Sequence, residues 1–82
     1  MPTGSNRVFE HAGRQFHIQV EDLIASDMVE VRVYDKGAVL FVKRVCYTEA
    51  VASASERDDA IRAFMEKTIQ TVSAAITKGK IG

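Results

Sequence analysis

The chain has 82 residues, 46% of them hydrophobic, and its eleven basic and eleven acidic side chains cancel to a net charge of zero. That length supports one domain, near the lower size at which a core holds without staples, and the composition excludes bulk disorder. A balanced chain has no global field to draw in DNA or anionic lipid, and no apolar run approaches the ~18 residues of a membrane span.

Residues 1–6 are small, polar and turn-prone, and read as a flexible end without the apolar segment of a signal peptide. Arg7 to His11 is a short strand candidate, followed by Ala12-Gly13 as a tight hairpin connection. Gln15 to Glu21 alternates cleanly: Phe16, Ile18 and Val20 point one way, Gln15, His17, Gln19 and Glu21 the other. Asp22 to Asp27 is a connection with an apolar centre, Leu23-Ile24-Ala25. Met28 to Tyr34 is a third strand, with Val29, Val31 and Val33 inward and Glu30, Arg32 and Tyr34 outward. Asp35-Lys36-Gly37 suits a hairpin loop, which sets the third strand antiparallel to a fourth at Ala38 to Cys46.

The fourth strand opens with Ala38-Val39-Leu40-Phe41-Val42, an apolar run without alternation. Such a run reads as covered on both faces. The chain offers one helix, which covers one face, so the other face calls for the Leu23-Ile24-Ala25 loop or for a second chain.

The remainder is helical over 54–78. Ser53 and Glu56 have capping-box spacing, Asp58 and Asp59 complement the dipole, and Ile61, Phe64, Met65, Ile69, Val72 and Ile76 form one stripe. Lys78 and Gly79 mark its stop. These readings predict an α+β fold: a single domain over 1–82, with an antiparallel four-stranded meander at 7–46 and one long C-terminal helix packed on one face. The predicted core is Phe16, Ile18, Val20, Val29, Val31, Val33, Leu40, Val42, Ile61, Phe64, Met65, Ile69, Val72 and Ile76. The order of four strands and a helix is similar in outline to dimeric single-stranded-DNA-binding regulators. No residue motif accompanies the outline, so no site residue follows from it.

Catalytic chemistry has little to work with. His11 and His17 flank the first turn without becoming neighbours, the five glycines are scattered, and no Cys/His cluster has metal-ligand spacing. Cys46 is the single cysteine and is expected to be a buried, reduced thiol. The chain is therefore expected to be a non-enzymatic binding or assembly protein without cofactor or membrane partner, most simply from a bacterial cytoplasm. The expected partner is a second copy, docked through the second sheet face, the helix overhang or the strand edges, with another protein as the further candidate. Candidate interaction residues are His17, Arg32, Tyr34, Phe41, Lys43 and Arg44. Cations and rings interleaved on a sheet also suit single-stranded nucleic acid, the alternative reading. Glu30, paired with Arg32 or Lys43, would dilute such a patch.

Overall fold

A computed structural model describes residues 4–81. Its four strands, β1 (Gly4–His11), β2 (Arg14–Leu23), β3 (Met28–Asp35) and β4 (Ala38–Cys46), form one antiparallel sheet in the order β1-β2-β3-β4. A four-residue helix, α1 (Thr48–Val51), and a long helix, α2 (Arg57–Thr77), follow. The α+β meander expected from the alternation is therefore the observed fold. Met1–Thr3, half of the segment read as a flexible end, lie outside the described residues, while Gly4–Asn6 open β1.

Two tight turns build the outer hairpins. Ala12 and Gly13 have φ of 53° and 77°, and Lys36 and Gly37 have φ of 53° and 82°. Paired left-handed residues match the strand twist, and the glycine in each carries its share without Cβ strain. Between β2 and β3 the chain takes one 3-10 turn, Ile24–Ser26, whose Ile24 side chain stays exposed. The Leu23-Ile24-Ala25 segment therefore does not blanket the sheet.

α2 packs its stripe of Ile61, Met65, Ile69, Val72 and Ile76 on Phe16, Ile18, Val20, Val29, Val31 and Val33. Two polar features flank this packing. Near the middle of the helix, Glu66 accepts from both terminal guanidinium nitrogens of Arg7 on β1, each at 2.6 Å. At the C-terminus Gly79 donates to the Ile76 carbonyl at 3.0 Å and Lys80 to the Ala75 carbonyl at 2.9 Å. This is a Schellman motif with Gly79 at φ 75°, and it turns Ile81 back into the core. The capping box expected at Ser53 and Glu56 is not formed: the helix starts at Arg57, with Glu56 as an N-cap that makes no side-chain bond.

A helix ~10 Å in diameter spans only two or three strands at ~4.8 Å spacing. With the Arg7–Glu66 pair on its β1 side, α2 lies over β1, β2 and β3 and leaves β4 almost bare. Two predicted core residues are corrected by this: Leu40 is 38% exposed and Val42 50%, as is Val39. Phe64 and Phe41 are partly buried against the core.

The cause lies in the β3–β4 ladder. From the turn, Asp35 faces Ala38 and Tyr34 faces Val39, but Val33 then faces Phe41 instead of Leu40. Leu40 is the extra residue of a β-bulge, and every later residue of β4 changes face relative to an unbroken count from the turn. Phe41, Lys43 and Val45 thus look toward the helix, while Val42, Arg44 and Cys46 look away from it.

Candidate functional site

The bulge divides the six candidate interaction residues between two surfaces. His17, Arg32, Tyr34 and Arg44 lie on the open face of the sheet, whereas Phe41 and Lys43 lie on the helix side. They do not form one patch.

On the open face Glu30 is the organising group. Its carboxylate accepts from Arg32 Nε at 2.8 Å and Arg44 Nε at 3.1 Å. Hydrogen bonds from Arg44, then Arg32, hold the Glu30 carboxyl below the usual carboxylate range. Glu30 is only 8% exposed, yet what covers it is two guanidiniums on side chains 45% and 61% exposed, so the cluster is wet. Alternation places Glu10 and Glu21 on this face as well. Carboxylates therefore match or exceed the guanidiniums, and the cation-rich surface that single strands favour does not form.

The edge of the sheet differs in chemistry. β4 pairs with β3 on one side, and no described strand pairs with its other side. Its nine residues show Val39, Leu40 and Val42 to solvent, and none of the nine is proline. Natural edges are usually blunted by charge, proline or a covering loop. Here Lys43 and Arg44 interrupt only the second half. The other edge, β1, carries Arg7 locked to Glu66.

Beside β4 on the helix side lies a cleft of about 460 Å³. Its apolar lining comes from Phe41 and Val45 on β4, Phe64 and Val72 on α2, and Ile81 beyond it. Thr68 and Thr71 also line it, but their hydroxyls already donate to the Phe64 and Lys67 carbonyls at 2.8 and 2.9 Å. Three lysines, Lys43, Lys67 and Lys80, also line it. None of them makes an ion pair with a carboxylate among the described residues.

One buried polar contact fastens the end of β4. Tyr47, 1% exposed, donates its hydroxyl hydrogen bond to Asp22 Oδ1 at 2.7 Å. Burial first, and the bond to Asp22 second, push the Tyr47 phenol up to about 12. Phe64 meets the ring edge-on, with centroids 6.2 Å apart, and the Arg57 guanidinium sits 5.6 Å from its centroid. Sequence reasoning missed this pair although a signal was present. Asp22 continues the inward register of Phe16, Ile18 and Val20, and a carboxylate in a core position requires a buried donor.

Cys46 corrects another expectation. The thiol is exposed, with its sulfur 3.2 Å from Thr48 Oγ1. Hydrogen bonding by the Thr48 side chain, then by its backbone, lowers the thiol pKa, with Asp27 and Glu49 opposing. The histidines stay apart: His17 faces Val8 on the open face, and His11 stacks on Phe9 at 6.5 Å between ring centroids. Among the described residues no three His, Cys, Asp or Glu side chains gather as a metal site, and no helix is long and apolar enough to cross a membrane.

No protein-family model, curated protein or solved structure matches this chain.

Proposed function

We propose that this chain is a non-catalytic assembly module that works as a homodimer, pairing through the free edge of β4. The observation that carries this reading is the exposure of Val39, Leu40 and Val42 on an unpaired nine-residue strand. A strand apolar on its surface and open along its edge is a template for another strand. The chain supplies a fitting one itself. Antiparallel self-pairing centred on Val42 sets Val42 against its own copy, Phe41 against the partner's Lys43, and Leu40 against the partner's Arg44. No like charges then face each other, and a two-fold axis closes the assembly. Five of the eleven acidic side chains, Asp22, Asp27, Glu30, Asp35 and Glu66, are each held by a phenol or guanidinium, which favours a scaffold role for them.

This reading moves the contact from the second sheet face and the helix overhang to the sheet edge. Multi-angle light scattering at high micromolar concentration tests it. Wild type is expected at twice the protomer mass. Val42→Lys, which sets two ammonium groups against each other at the dyad, is expected at the protomer mass. Val8→Lys, on the opposite edge strand and equally exposed (51%), is expected to stay dimeric. A monomeric wild type, or a Val42→Lys variant as dimeric as wild type, refutes β4 pairing.

A further inference from the structure

The cleft between β4 and α2 combines features that edge pairing leaves unexplained. Lys43 rises from an apolar strand face, with Phe41 and Val45 two residues to either side and Val31 across the ladder. Its ammonium has no carboxylate partner among the described residues, and no Asp or Glu is among the described residues that line the cleft. An exposed ammonium without a carboxylate partner among the described residues, at the margin of an apolar trough, is complementary to an anion that carries an apolar body. The volume, about 460 Å³, lies within the roughly 300–1,000 Å³ of small-molecule sites.

The choice of occupant follows from what the walls can satisfy. With the hydroxyls of Thr68 and Thr71 turned to their own helix, the lysines are the side-chain donors left among the described lining residues, and the helix wall offers methyl groups. A peptide in extended form needs backbone partners; only the β4 edge could supply them, and excluding it rests on the pairing proposed above. A peptide helix satisfies its own backbone, but a cylinder ~10 Å wide fills roughly 420 Å³ in a single turn, so the cleft would hold about one turn. A hydrocarbon chain makes no such demand. Lys67 and Lys80 stand ten helical residues and a cap apart, at least ~15 Å along the axis. The lysines are thus spread along the trough and do not converge on one multiply charged head.

We infer that this cleft binds a single-chain carboxylate, a fatty acid whose head meets Lys43 and whose chain lies between β4 and α2. Each protomer would then carry a ligand site in addition to its pairing edge.

Isothermal titration with dodecanoate below its micellar concentration tests it, with dodecyltrimethylammonium, dodecyl phosphate and an alternating Val/Glu peptide as parallel arms. Saturable binding of one dodecanoate per protomer is expected, with no binding of the trimethylammonium analogue. Lys43→Ala should weaken dodecanoate by about two- to fivefold, as loss of an exposed ion pair does. Ala75→Phe, which fills the trough from the helix side, should weaken it while Lys43 remains. Melting temperatures of both variants show that the fold is intact, and scattering on the same samples reports the dimer separately. A dimer that binds no dodecanoate overturns the ligand site alone. Equal affinity for the cationic analogue, many molecules per protomer, preference for dodecyl phosphate by tenfold or more, or binding of the peptide in place of dodecanoate overturns it as well. A monomer that binds dodecanoate overturns only the pairing of β4.

Discussion

Tyr47→Phe isolates one hydrogen bond. The substitution keeps the ring, its edge-on contact with Phe64 and the Arg57 guanidinium above it, and removes only the donor to Asp22 Oδ1. Asp22, 8% exposed, then keeps its burial but loses its phenol. Hydrogen bonds to charged groups contribute about 1.5–3 kcal/mol net, so a loss of about 2 kcal/mol is expected. For a domain of this size each kcal/mol moves Tm by roughly 4–8 °C, which gives a fall of about 8–16 °C. Urea unfolding followed by circular dichroism should show the same loss at unchanged slope. Asp22→Asn keeps an acceptor and should cost less, and the double variant should show the two effects to be coupled. The pH dependence carries its own sign. The phenol titrates higher in the folded chain, at about 12 against 10.0, so the fold favours its neutral form. That contribution is fully present below pH 10 and is lost as pH rises through about 12. Wild type should lose stability across that window more steeply than Tyr47→Phe. A Phe variant within about 0.5 kcal/mol of wild type, with the same alkaline profile, would refute the reasoning.

Two further outcomes follow from the surface groups. Glu30→Gln releases Arg32 and Arg44 from their shared carboxylate, and should raise affinity for a labelled single-stranded oligonucleotide in a salt-dependent way. Fluorescence anisotropy checks this, and tight binding by wild type at low salt, lost on removing either arginine, would show that the open face already works as a cationic surface. Cys46, exposed and with its pKa lowered by Thr48, should react with a thiol reagent in the native state about as fast as a free thiol. Thr48→Val should slow it, and a native thiol that resists labelling until the chain unfolds would contradict the exposed assignment.

Much of this architecture was legible because alternation and turn chemistry are local. Phe16, Ile18 and Val20 on β2, and Val29, Val31 and Val33 on β3, show their period of two directly, and each outer hairpin announces itself by a glycine. What was not legible depends on events of one residue. A two-residue turn at Lys36-Gly37 followed by a regular ladder sends Leu40 and Val42 inward, as the sequence predicts. The bulge reverses this, and nothing in Val39-Leu40-Phe41 marks which residue will be extra. The same shift put Phe41 and Lys43 in the cleft and left the cleft itself invisible from sequence. Helix placement was lost for a related reason: the stripe on α2 shows which side is buried but not which strands it lies over, and the Arg7–Glu66 pair that accompanies the offset toward β1 joins residues 59 apart.

The bond between Tyr47 and Asp22 has a consequence for the strand before it. β4 can be read in two frames with almost the same composition on its inner side: Phe41, Lys43 and Val45, or Leu40, Val42 and Arg44. Each presents two apolar groups and one cation, so burial alone discriminates poorly between them, and a slip by one residue exchanges them wholesale. Tyr47 continues the first frame and reaches Asp22 only there; in the second it would point away from the core. A single phenol, seven positions beyond Leu40, thus acts as a tie-breaker for the whole edge, deciding which cation the cleft contains and which apolar side chains the edge offers to a neighbour.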